Sequence, residues 1–187
     1  MKKLLFMLPL LAFAFAACST DDDDNDDVWE KYADWREEND QWLEDQAELT
    51  NPDGTKVYTK VVPAWNKNAY VLMHWHNDTT LTQNNLRPLY TSTIDVKYIG
   101  RLYDDQPFDS SFVRTEPADS IYRCRVSSNI TGWVIAMERM HVGDSVTVLI
   151  PYTVGYGSQS QGSYIKPYSA LQFDIKLVDI PGEYIRP

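Results

Sequence analysis

The chain has 187 residues, with 27 Asp and Glu against 17 Lys and Arg and a formal net charge of −10. An acidic surface of that size repels phosphate backbones, which excludes nucleic acid as an expected partner. Cys18 and Cys124 are the two cysteines, too few for a disulfide framework.

Residues 1–17, MKKLLFMLPLLAFAFAA, join two lysines to an apolar run that closes on small residues, the pattern of a cleaved export signal. The run is short for a membrane-spanning helix. The ending Phe15-Ala16-Ala17-Cys18 resembles a bacterial lipobox, in which Cys18 becomes the lipidated first residue. Losing Lys2 and Lys3 with the signal takes the net charge from −10 to −12. Residues 18–27 continue with DDDDNDD, a block of like charges that cannot bury itself and reads as a solvated tether. Acidic residues directly after a lipidated cysteine resemble the surface-export signal of Bacteroidetes lipoproteins. The expected location is therefore the outer membrane, through a lipid anchor at Cys18, facing the periplasm or the outside. A plain spacer is the alternative reading of the acidic block.

Residues 28–50 carry three tryptophans and no Gly or Pro that would break a helix. Val28, Tyr32, Trp35, Asn39, Trp42, Gln46 and Leu49 fall at alternating four- and three-residue steps, which predicts one stripe of an N-terminal helix. The stripe needs a cover. Folding back on the same domain is one answer and a homodimer through residues 28–49 is the other; the polar Asn39 and Gln46 weaken a coiled coil.

Asn51-Pro52-Asp53-Gly54 is a turn signal, and residues 51–187 have the length of one domain. Short β-rich runs over Lys56 to Trp65 and Ala69 to His76 predict its first strands. His74 and His76 would project to one side, a spacing that suits a metal pair, but no third ligand stands near them and no metal is expected. Three later runs alternate: Ile94, Val96 and Tyr98; Val146, Val148 and Ile150; Leu171, Phe173, Ile175 and Leu177. Each predicts a strand with one face buried. Between the first two, Trp133, Ala136, Met137 and Met140 make a helical apolar face. One short helix against an antiparallel sheet, an α+β fold, follows from the pattern.

Val96 to Ser111, VKYIGRLYDDQPFDSS, is followed by Gly132-Trp133 and by Gly155-Tyr156-Gly157. In this order and spacing the segments resemble the FKBP-type peptidyl-prolyl cis-trans isomerases, over roughly Ile94 to Ile180. The resemblance implies an FKBP-like twisted antiparallel sheet wrapped around one short helix. It also implies an aromatic slot for proline: Trp133 as floor, Tyr98, Phe108 and Phe173 as walls, Ile130 as an edge and backbone donor, and Ile165 as a closure from the loop. Tyr156 would offer its hydroxyl to a substrate carbonyl. Asp109, held by Tyr98 and Arg114, would sit beside the twisting amide, making Tyr98, Asp109 and Tyr156 the expected catalytic group.

No cofactor is implied, and the implied partners are proline-containing polypeptides. Departures from the family occur at Thr115 to Asn129, which is longer and leaves Ile121 or Tyr122 as the missing wall, and at Asn129, where a branched apolar residue is common. Without the resemblance, Tyr98, Phe173 and Trp133 read as core, and Asp109 as a turn-capping aspartate. Two other functions compete with the isomerase: a non-catalytic chaperone or peptide-binding surface lipoprotein, and a structural or glycan-handling lipoprotein on the same fold.

Overall fold

The computed structural model describes residues 28–182; the expectations placed on the signal, Cys18 and the acidic tether lie outside these residues. Seven strands form one antiparallel sheet: β1 (Thr59–Val61), β2 (Val71–Trp75), β3 (Thr93–Leu102), β4 (Pro107–Ser110), β5 (Tyr122–Arg125), β6 (Ser145–Ile150) and β7 (Leu171–Asp179). Their order is β1-β2-β6-β7-β3-β4, with β5 also paired to β3. The longest strand, β3, lies between β7 on one side and β4 and β5 on the other. Every site element is therefore tied to it directly or through one neighbour.

The sheet curls around helix α2 (Thr131–Met137), in which every residue from Gly132 to Met137 is buried. Gly132 is required by closeness: a Cβ there would run into the Ile150 side chain. Trp133, Ala136, Met137 and Met140 pack with Val96, Tyr98, Val148, Ile150, Phe173 and Ile175 in the main core. The alternating residues supply this inner face, as the pattern predicts.

The outer face departs from expectation. In β6 every residue from Val146 to Ile150 is buried, not alternate ones. Helix α1 (Ala33–Glu48) folds back on its own domain and covers Leu149, while Thr147 is enclosed by its bonds to His76 and Asp174. Leu43, Leu72, Leu149 and Ala170 form a second core beneath it, flanked by Trp42 and Tyr70. Trp35 donates its indole N–H to Ser169 Oγ at 3.2 Å and meets Tyr103 edge-on at 5.2 Å.

The stripe on α1 is centred differently from the one predicted. Leu43, outside it, is 3% exposed, whereas Leu49, inside it, is 44% exposed. Asn39 is not a blemish on the stripe but its anchor. It is fully buried, donates to the Trp35 carbonyl at 2.7 Å and accepts the Ala170 N–H at 2.8 Å, so it satisfies a loop amide that the helix would otherwise bury unpaired.

His74 and His76 lie ring to ring at 4.8 Å, each bonded to protein: His74 Nδ1 to the Val57 carbonyl and His76 Nε2 to Thr147 Oγ1, both at 2.8 Å.

Candidate active site

The site forms where β3, β4 and β7 meet the start of α2. Gly100 on β3 pairs with Phe173 on β7 and with Asp109 on β4. A Cβ at Gly100 would lie 2.7 Å from the Phe108 ring and 2.8 Å from that of Phe173, so only glycine lets the two rings close over the strand. They meet edge-to-face at 5.5 Å.

Phe108 and Asp109 are consecutive, and in a regular strand they would point to opposite faces. The register prevents this. Gly100 pairs with Asp109 and Arg101 with Pro107, leaving Phe108 unpaired at an irregularity that lets both side chains line one cavity.

That cavity holds about 230 Å³ and is lined by Tyr98, Phe108, Asp109, Tyr122, Ser128, Asn129, Ile130, Trp133, Tyr156 and Phe173. Trp133 stands perpendicular to both Tyr98 and Phe173, at 5.2 and 5.3 Å. Seven of the eight slot residues expected from the sequence line the cavity. The exception is Ile165, which pairs with Gln161 through the backbone, is 6% exposed and is not among the residues that line the cavity.

At one wall the Tyr98 hydroxyl donates to Asp109 Oδ2 at 2.5 Å, while Asp109 Oδ1 accepts the Ser110 N–H at 2.8 Å. Asp109 does not merely cap a turn; both oxygens are engaged and its orientation is set. Burial, and then the Asp109 carboxylate, push the Tyr98 hydroxyl far above the usual phenol range, against an opposing pull from Arg114. Tyr98 is thus a neutral donor at any physiological pH. Ser111 Oγ fixes its backbone by accepting the Tyr98 N–H at 2.9 Å.

Arg114 does not ion-pair with Asp109; its guanidinium lies over the Tyr122 ring at 4.6 Å. Tyr156 and Ile130 also line the cavity, and the Tyr156 hydroxyl and the Ile130 N–H make no hydrogen bond to any described residue. Burial, and then Asp109, raise the Tyr156 hydroxyl as well, which keeps it protonated.

Of the two candidates for the missing wall, Tyr122 lines the cavity and Ile121 is buried away from it. Asn129 and Ser128 also line it, although neither was expected to. Asn129 is held by donating to the Arg125 and Val126 carbonyls at 2.7 and 3.2 Å and to Cys124 Sγ at 3.4 Å. The alternation of Tyr122 and Cys124 on β5 was the available signal for the wall. For Asn129 the signal was its position, where the family commonly has a branched apolar residue.

Residues 86–178 match the family model described as FKBP-type peptidyl-prolyl cis-trans isomerase. The chain is 34% identical over 101 residues to FK506-binding protein 2 of Candida glabrata, a match covering 54% of this chain and 73% of that one. The chain belongs to the FKBP-type peptidyl-prolyl cis-trans isomerase family. It is also 38% identical over 93 residues to the FKBP-type 22 kDa peptidyl-prolyl cis-trans isomerase of Escherichia coli, covering 50% of this chain but 43% of that relative. The crystal structure of FkpA from Escherichia coli shares the fold, with a TM-score of 0.65 and 22% identity, over 83% of this chain and 63% of that one.

Proposed function

We propose that the protein catalyses cis–trans isomerisation of X-Pro bonds in exported polypeptides and so assists their folding. The observation that carries this reading is one cavity that brings together aromatic side chains, an oriented carboxylate and two residues with unused donors, Tyr156 and Ile130.

Rotation about a peptide bond meets a barrier of roughly 18–20 kcal/mol because the planar amide is resonance-stabilised. No covalent bond breaks, so no nucleophile or redox group is called for. Trp133, Phe108 and Phe173 hold the proline ring against their aromatic faces. In the twisted state the amide loses conjugation and its charge redistributes, and groups already fixed in place stabilise that state more than the planar one. Asp109, oriented by Tyr98, supplies the negative charge beside the twisting bond. Tyr156 and the Ile130 N–H bind substrate carbonyls. Ile165 supports the loop above the slot from within the core.

The test is isomerisation of short X-Pro peptides, followed without a coupling protease. Wild type accelerates the reaction; Asp109→Ala lowers kcat by about tenfold or more with little change in peptide affinity. Tyr156→Phe, which removes one hydroxyl, weakens binding. A wild type that binds unfolded chains yet shows no rate above background would make the protein a peptide-holding chaperone instead.

The lipobox-like Cys18 and the acidic block after it support a lipid-anchored location at the outer membrane. Replacing Cys18 by serine should abolish partition with membranes; full retention would refute the anchor. Self-association through α1 would have to use the face opposite Asn39 and Leu43, which are already buried against the domain.

A further inference from the structure

Asn129 lines the slot and also a second, larger hollow of about 540 Å³. The walls of this groove include Trp65, Tyr90, Thr131, Val134 and Glu138. Thr131, Val134 and Glu138 follow one another at three- and four-residue steps and form one stripe along α2 and its C-cap. Trp133 faces the slot instead. The two hollows therefore flank the start of one helix and share a rim.

Trp65 is 58% exposed and Tyr90 55%, and the Trp65 indole makes no hydrogen bond or ring stack with any described residue. An adjoining hollow shares Trp65 and Glu138 and adds Leu89, itself 64% exposed. Open aromatic and aliphatic surface of this kind marks a binding site more often than a neutral surface. Trp65 precedes the residues matched by the family model, 86–178, whereas Tyr90, Thr131, Val134 and Glu138 lie within them.

We propose that the groove is a second subsite for the same polypeptide whose proline occupies the slot. It takes an apolar or aromatic side chain a few residues from that proline, and Glu138 on its wall favours a basic neighbour. The proposal rests on the isomerase reading, and its support is continuity: Asn129 lines both hollows, so a chain that leaves the slot on that side has the groove beside it. An extended segment of about four residues reaches roughly 13 Å, so a modest client segment can fill both. The groove makes the protein prefer long unfolded clients over short proline peptides.

The experiment compares two probes with the full-length protein. One is a tetrapeptide with a central X-Pro; the other has the same centre within about twelve residues and a phenylalanine about four residues to either side. The long probe should show kcat/KM about tenfold above the short one, in line with an aromatic anchor seated on a tryptophan. Trp65→Ala and Tyr90→Ala should each remove most of that gain and leave the short-probe rate and the melting temperature unchanged.

Equal rates of wild type and Trp65→Ala on the long probe would overturn the proposal. If neither probe is isomerised, the isomerase reading fails on its own, and the groove is then judged by fluorescence anisotropy of the labelled long probe. Tighter binding to wild type than to Trp65→Ala upholds it, and equal binding overturns it. A concentration-dependent mass that Trp65→Ala abolishes, with unaltered probe binding, would make the face a contact between copies and likewise overturn it.

Discussion

Replacing Gly100 by alanine adds a single methyl group and tests whether the slot depends on the closeness of its two phenylalanines. The new Cβ would sit 2.7 Å from Phe108 and 2.8 Å from Phe173, about 1 Å inside an ordinary carbon–carbon contact. Phe173 has little room to yield, being 4% exposed and packed on Trp133, Tyr98 and Phe108. Phe108 is half-buried at the cavity edge, so its ring is the one that gives way. Overpacking of this kind costs about 1–3 kcal/mol, and displacement of an edge ring belongs at the lower end. For a chain of this size that lowers Tm by about 2–6 °C. Activity should fall further than stability, because the outward swing of Phe108 opens the wall that holds the proline ring. The assays are thermal unfolding and short-peptide kcat/KM, with Phe108→Ala as the matched control. Gly100→Ala should resemble that control in kcat/KM. A variant as active and as stable as wild type would show that the two rings do not need their close approach, and the account of the slot would be wrong.

Asn39→Ala leaves the buried Ala170 N–H without its acceptor, which should cost about 1–3 kcal/mol in urea unfolding, while short-peptide turnover stays near wild type. An undiminished stability would mean that α1 is not anchored through this residue. The Tyr98 hydroxyl is raised above its ordinary value of about 10, so its protonated form is favoured in the native state. Its contribution is therefore fully present below about pH 10 and is lost as pH rises toward the higher folded value. Stability measured against pH should fall above pH 10, and Tyr98→Phe should flatten that slope without abolishing it, because burial also raises Tyr58 and Tyr70. Identical slopes for the two proteins would remove Tyr98 from the explanation.

The inner face of the sheet and the short helix were legible in the sequence because burial on one face writes a local period. Ile94, Val96 and Tyr98, the alternation in β6 and β7, and the Trp133 stripe each report their own element's orientation toward one core. The motif spacing likewise identified most of the cavity lining, since strand and turn lengths constrain which side chains converge.

What the sequence did not determine depends on pairings between distant segments. That Phe108 and Asp109 share a cavity follows from the shifted register between β3 and β4, which no local pattern records. That β6 is buried on both faces follows from α1 returning over Leu149 and from His76 and Asp174 closing on Thr147, and the same return of α1 turns Asn39 from a polar exception into a fully satisfied anchor. Ile165, expected to close the slot, instead pairs with Gln161 and packs in the core outside the cavity lining, a placement that distance from Tyr156 along the chain does not record. The groove at Trp65 joins the β1–β2 connection to a helix more than sixty residues away in sequence. Periodicity reports which way a residue faces within its own element. Only tertiary structure decides what stands opposite it, because that contact is chosen by the packing of the whole chain.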